Sequence, residues 1–146
     1  MKLKTILLFL IFLSGLFGLT KCVTESYNLS GDWERYGDQS RGSILQFLKK
    51  DSLFEGIIKV ANGEMAASGF VTNAIKFSEL HQISANTYHG FEHVTLQKQG
   101  EVIDKRVVKI ELKQYANDFL EITCIDSCKN QTNSAYGIKQ KWKKIK

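Results

Sequence analysis

Two charged side chains in one segment occupy positions that an apolar core would normally fill. In VIDKRVVKIEL, Asp104 and Arg106 fall in the same alternation as Val108 and Ile110. Alternate side chains of a strand point to one face of its sheet, so this pattern predicts that both charges face the interior. Burying a charge is costly unless it is paired or meets a ligand. Because a guanidinium can donate two parallel hydrogen bonds to a carboxylate, Arg106 is a candidate anchor for an acidic, lipid-like molecule.

A second interior charge is predicted in TYHGFEHVTL, where Glu92 shares its alternation with Val94. The remaining candidates for a cavity lining are aromatic and apolar side chains: Tyr88, Trp142, Phe54 and Ile58. An alternative needs no ligand. In it, Arg106 pairs with Glu92 or Asp104, or a bulge turns Arg106 outward.

Sequence motifs for catalysis and metal binding are absent. The chain has no Gly-x-Ser-x-Gly, no His-Glu-x-x-His and no glycine-rich phosphate loop. Zinc needs several donors that converge at about 2 Å, and we expect His81, His89 and His93 to lie at the surface instead. We therefore predict a binding protein that is not an enzyme and holds no metal or other cofactor.

Three cysteines in an exported chain leave at least one without a partner. Cys124 and Cys128 are close enough along the chain for a turn to join them, which predicts a structural disulfide. Cys22 then stands alone, just beyond an apolar run. A bacterial lipoprotein carries its acylated cysteine at such a place, so Cys22 is a candidate lipid anchor.

The first 21 residues have the organisation of a secretory signal. Lys2 and Lys4 precede an uncharged, mostly apolar stretch from Thr5 to Leu19. We expect residues 1–21 to be cleaved, or to form a lipoprotein leader that ends before Cys22. The product is then secreted, periplasmic or anchored to a membrane through that cysteine alone. Residues 22–146 suffice for a single domain.

The charge of the chain gives no indication of a nucleic-acid partner. The formal net charge is +5, but three of the lysines lie in or beside the leader, which leaves 17 basic against 15 acidic residues. A net charge of +2 is not the footprint of a nucleic-acid-binding domain. The lysines of the C-terminal KQKWKKIK alternate with other residues, as on the solvated face of a strand.

Alternating apolar residues, separated by Gly, Asn, Asp and Ser, predict β-strands along the rest of the chain. The predicted strands span 31–37, 42–49, 53–61, 67–77, 84–97, 101–113, 118–125 and 136–145. A short helix or loop is an alternative only at 75–83. Eight strands joined mostly by short turns predict an all-β, antiparallel up-and-down barrel, since closure removes exposed edges. Gly56 and Gly90 lie inside strands, where glycine often marks a bend or a close backbone approach.

The opening LSGDWERY resembles the start of the first strand in the calycin barrels, the lipocalins and their relatives. Gly31, Asp32 and Trp33 supply the Gly-x-Trp pattern. The resemblance implies a lipocalin-like barrel over about residues 30–146. It also implies that Trp33 is a structural plug at the closed end, stacked against a basic side chain from Lys141, Lys143 or Lys144.

Two functions follow from such a barrel, because a small barrel holds either packed side chains or one small molecule. The first is binding of a small apolar, lipid-like ligand. The alternative is an extracytoplasmic protein-binding or inhibitor module of the cell envelope, which has a filled core and acts through its loops. Thirteen aromatic residues after the leader favour the alternative, because they occupy interior volume.

Overall fold

Eight antiparallel strands close into one barrel in the computed structural model, which describes residues 27–116, 118–126 and 139–146. The strands are β1 (Gly31–Tyr36), β2 (Ile44–Lys50), β3 (Leu53–Val60), β4 (Ile75–Ser84), β5 (Thr87–Lys98), β6 (Glu101–Tyr115), β7 (Phe119–Cys124) and β8 (Gln140–Lys144). A short helix, α1 (Gly63–Ala67), lies between β3 and β4. Each strand pairs with its neighbour in sequence, and β1 pairs with β8 to complete the ring. The predicted all-β up-and-down barrel is confirmed.

The barrel has two distinct ends. Neighbouring strands run in opposite directions, so the connections β1–β2, β3–β4 and β5–β6 lie at one end, which we call the mouth end. Leu29 and Trp33 are completely buried at the opposite, closed end, where the Trp33 indole donates a hydrogen bond to the Leu29 carbonyl at 2.8 Å. The Lys144 ammonium lies 5.3 Å from the centroid of that ring and donates to the Asn28 carbonyl at 2.7 Å. Lys144 is thus the one of the three candidate lysines that lies over Trp33.

Large aromatic side chains fill the interior between the two ends. Phe47 and Phe77 stack with centroids 6.0 Å apart, and Phe54 meets Tyr88 edge to face at 5.5 Å. Gly56 makes room for the first pair: a Cβ there would lie 2.8 Å from the Phe77 ring and 2.9 Å from the Phe47 ring. The strand glycine therefore marks the place where side chains from the two flanking strands, β2 and β4, meet over β3.

The prediction for the fourth strand was wrong. Residues 67–77 contain the end of α1, a connection and only the first part of β4, and the segment 75–83 considered for a helix lies within β4. The reason is a bulge, because the register of β4 against β5 shifts between Ser78 and His81, and Glu79 has a positive φ of 52°. Burial of Lys76, Phe77 and Leu80 therefore follows no period of two.

Candidate functional site

A cavity of about 400 Å³ opens at the mouth end. The β1–β2 connection, residues 37–40, borders one side, and α1 with the segment that follows it borders the other. Side chains from four strands form the inner wall: Arg35 from β1, Lys76 from β4, Glu92 from β5 and Gln140 from β8. β4 and β5 are consecutive strands, but β1 and β8 lie at opposite ends of the described chain, and only barrel closure brings β8 beside β1.

The inner wall is a connected row of polar side chains that we call the polar ladder: Asp38, Arg35, Gln140, Glu92 and Lys76. The Arg35 Nε donates to Asp38 Oδ2 at 2.8 Å, and its Nη1 donates to Gln140 Oε1 at 3.2 Å. Gln140 Nε2 donates in turn to Glu92 Oε1 at 2.8 Å, and Lys76 Nζ lies 2.9 Å from the same oxygen. The polar ladder thus consists of two ion pairs that are joined by one amide, and its two positive and two negative charges balance.

Lys76 sits at the buried end of the polar ladder. Besides Glu92, its ammonium donates to the His93 carbonyl at 2.9 Å and lies 4.0 Å from the centroid of the Phe70 ring. Burial is the largest influence on the pKa of Lys76 and lowers it from its ordinary value of 10.5, while Glu92 acts in the opposite direction. The residue is therefore a strongly desolvated cation with a full set of partners.

Arg35 joins the polar ladder to the core below it. Its guanidinium carbon lies 5.5 Å from the centroid of the Trp142 ring, which is completely buried. Within the described part of the chain, no acceptor is bonded to the Trp142 indole nitrogen. The Arg35 guanidinium would therefore lie between the Trp142 indole and a molecule that contacts Arg35 in the cavity.

Arg106 does not face the interior, so this prediction was wrong. Its side chain is 47% exposed and pairs with Asp104 on the same strand, which was one of the alternatives from the sequence. The cause is the length of β5 and β6. The last pair of β5 with β4 is Glu92 with Phe77, and the last pair of β6 with β7 is Ile110 with Cys124, so both strands run past the barrel wall. Successive side chains still point to opposite faces in this part of β6, but neither face of the strand meets the barrel interior there.

Of the six residues predicted to bind a ligand, Glu92 lines the cavity. Four others face the interior but pack in the core instead of the cavity wall: Tyr88, Phe54, Ile58 and Trp142. The cavity-lining prediction needs correction for these four, because the aromatic side chains that suggested a pocket fill the barrel themselves. The part of the barrel interior that these side chains leave open is at the mouth end.

Sequence reasoning missed four members of the polar ladder: Asp38, Arg35, Gln140 and Lys76. Arg35 shares the alternation of Trp33, and Gln140 shares that of Trp142, so a signal was present for both. Lys76 gave no such signal, because the bulge in β4 removes the alternation around it. A polar residue two positions from a buried tryptophan on the same strand therefore indicates a polar side chain that faces the interior.

The three histidines lie on the outer side of the barrel. The rings of His81 and His89 are 6.2 Å apart between centroids, and His89 Nε2 lies 3.3 Å from Glu111. His93 Nε2 is 2.9 Å from the Ser78 hydroxyl. Among the residues described, no three His, Cys, Asp or Glu side chains are grouped as a metal ion would require.

Several predictions concern residues outside the described part of the chain. The leader (residues 1–21) and the candidate anchor Cys22 lie there, as does Cys128. The disulfide between Cys124 and Cys128 therefore stays a prediction, and so do the lipid anchor and the start of the mature domain. No helix within the described ranges is long and apolar enough to cross a membrane.

Comparison with known proteins supports the fold. No protein-family model matches the sequence, and no curated protein matches it. Among solved structures, the chain is similar to protein HP1028 from the human pathogen Helicobacter pylori, which belongs to the lipocalin family. The TM-score is 0.54 at 14% identity, over 82% of this chain and 84% of that one. The predicted resemblance is confirmed at the level of architecture: this protein has the fold of a lipocalin-like β-barrel.

Proposed function

We propose that the protein binds one small molecule in the cavity at the mouth end and serves as a carrier or sensor. The observation that carries this proposal is the polar ladder. Apolar side chains fill most of the rest of the interior, yet Lys76, Glu92 and Gln140 are buried beside a cavity of about 400 Å³. Buried polar groups are costly unless they are satisfied, and a site that must recognise a ligand is a reason to keep them.

The cavity suits an amphipathic molecule. Its volume lies within the range of about 300–1,000 Å³ that is usual for small-molecule sites. Met65, Phe70 and Val94 provide apolar contacts, and the polar ladder provides hydrogen bonds. The lipid-like ligand expected from the sequence is thus retained in part, with an apolar chain against Phe70 and a polar head on the inner wall.

Binding is a better proposal than catalysis. The lipocalin-family neighbour supports a binding role by analogy of fold, although fold alone does not fix function. The leader supports export, and we propose that the protein works outside the cytoplasm, either free or held by Cys22. Intact-mass measurement of the mature protein, with and without reduction, would detect cleavage after residue 21, an acyl chain and the disulfide.

A second candidate function is binding of an envelope protein. It is favoured by apolar side chains exposed where β6 extends past the barrel wall: Val102, Ile103 and Val107. Exposed apolar patches can mark interaction surfaces. If this function is the main one, substituting Ile103 and Val107 by Ser should abolish capture of an envelope protein, whereas changes in the cavity should leave it intact.

The small-molecule proposal is tested with three linear eight-carbon probes that differ in their head group: octanamide, octanoate and octylamine. Native mass spectrometry and calorimetric titration on the mature protein should detect a one-to-one complex with at least one of them. Ser68 lines the cavity, so Ser68→Trp should fill it and abolish binding. Ser84→Trp places the same side chain at the closed end and serves as the matched control. If no probe binds, or if both variants bind equally well, the proposal is wrong.

A further inference from the structure

We propose that the head of the bound molecule is neutral and both donates and accepts hydrogen bonds, as an amide does, and is neither a carboxylate nor an ammonium group. This inference rests on the proposed function of the cavity. It concerns the chemical class of the ligand, which the polar ladder restricts in two ways. The first is charge, and the second is the hydrogen-bonding capacity that remains.

Charges at the inner wall are already compensated. Lys76 pairs with Glu92, and these two side chains are only 6% and 10% exposed. Arg35 pairs with Asp38. Glu64 also lines the cavity, so its lining carries three carboxylates against two cations. A ligand carboxylate would enter next to this excess of negative charge. A ligand ammonium would lie near Lys76 and Arg35. Glu64, the lining carboxylate outside these two pairs, is exposed, so an ion pair with it would offset little of the hydration that the ammonium loses.

Lys76 has little left to offer a ligand. An ammonium group has three N–H donors. Those of Lys76 have three partners in place, namely Glu92, the His93 carbonyl and the face of Phe70. The cation that would otherwise attract an acid is therefore committed to the protein.

Donors and acceptors remain on the other members of the polar ladder. A carboxylate offers about four acceptor positions, and the contacts of Gln140 and Lys76 both reach one oxygen of Glu92. The Gln140 amide has two N–H groups, of which one bonds to Glu92. Arg35 uses Nε and Nη1 for its bonds to Asp38 and Gln140, which leaves further N–H groups of the guanidinium. A head that donates to Glu92 and accepts from Gln140 or Arg35 matches this arrangement.

The test compares the affinities of octanamide, octanoate and octylamine for the mature protein at pH 7, where the acid and the amine are both ionised. Octanamide should bind at least tenfold more tightly than either ion. If octanoate or octylamine binds as tightly as octanamide or more tightly, the inference is overturned while the proposed function stands. If none of the three binds, both proposals fall.

Variants that change the charge of the wall sharpen the test. Glu92→Gln leaves Lys76 without its counter-ion and should shift the preference toward octanoate by at least tenfold. Glu111→Gln makes the same substitution on the outer face of β6 and should leave the order of affinities unchanged. Gln140→Glu keeps Lys76 paired and adds a carboxylate, so it should weaken octanoate further, and it provides a readout if Glu92→Gln does not fold. An octanoate affinity in Gln140→Glu that equals or exceeds the wild-type affinity would overturn the inference.

Discussion

Lys76 and Glu92 form a buried ion pair between the neighbouring strands β4 and β5, with 2.9 Å between Nζ and Oε1. This pair is the innermost link of the polar ladder. It lies above an aromatic core and beside the cavity, so it belongs to the site and to the stability of the barrel alike. Substitutions separate the contribution of the pair to ligand binding from its contribution to stability.

Breaking the pair should cost more stability than removing it. Lys76→Met leaves the Glu92 charge buried and should lower the free energy of unfolding by about 3–5 kcal/mol. Lys76→Met combined with Glu92→Leu removes both charges and should restore much of that loss. Urea denaturation of the two variants and the wild type measures the difference. Equal loss in the single and double variants would contradict the assignment of a buried pair.

The stability of the wild type relative to that double variant should depend on pH. Burial lowers the pKa of Lys76 in the folded state below the value of 10.5. Between these two pKa values the unfolded chain binds more protons at this residue, so the free energy of unfolding rises with pH across that interval. Denaturation at a series of alkaline pH values should show the stability of the wild type increasing relative to the double variant up to about pH 10.5. A decline over the same interval would mean that Glu92 outweighs desolvation.

Replacing the plug at the closed end should affect stability without affecting the ligand. Trp33→Phe removes the hydrogen bond to the Leu29 carbonyl and leaves that buried acceptor unsatisfied, which should destabilise the fold by about 1–3 kcal/mol. Octanamide affinity should stay within about twofold of the wild type, because Trp33 lies away from the cavity. Thermal denaturation and calorimetric titration check both statements. A large loss of affinity in a folded variant would place the site elsewhere.

Alanine at the two strand glycines should destabilise the barrel to different degrees. A Cβ at Gly56 would meet the rings of Phe47 and Phe77, whereas one at Gly90 would lie 2.7 Å from the backbone oxygen of Ser78. Overpacking typically costs about 1–3 kcal/mol. We expect Gly90→Ala to exceed Gly56→Ala, because rings can shift more easily than a paired strand. Equal denaturation midpoints for the two variants would contradict this order.

Two arginines should differ sharply in ligand binding. Arg106→Ala should leave octanamide affinity unchanged and alter stability by no more than about 0.5 kcal/mol, since the side chain lies outside the barrel wall. Arg35→Met should weaken the complex at least tenfold, because it removes a donor at the cavity and the bond to Gln140. Titration of the two variants side by side makes the comparison, and the reverse order would return Arg106 to the site.

The amino-acid sequence by itself determined the class of fold. Alternation of apolar residues is a local property, and in β2, β3 and β8 it survives intact in the pattern of burial. The Gly31 to Trp33 pattern likewise identified the strand that begins at the closed end. Local signals failed where strand pairing is irregular, because a bulge in β4 hides Lys76 from any search for a period of two.

Only the tertiary structure decided where the interior ends and which charges meet. Arg106 and Val108 have the same parity on β6, yet Val108 is buried and Arg106 is exposed. Val108 lies opposite Glu92, where β5 still pairs with β4, whereas Arg106 lies opposite Val94, beyond the last such pair. The polar ladder needs β1, β4, β5 and β8 around one barrel, and its bonds from Gln140 to Arg35 and to Glu92 join residues that are 105 and 48 positions apart in the chain. Such contacts arise from closure of the sheet, which a linear pattern of residues does not encode locally.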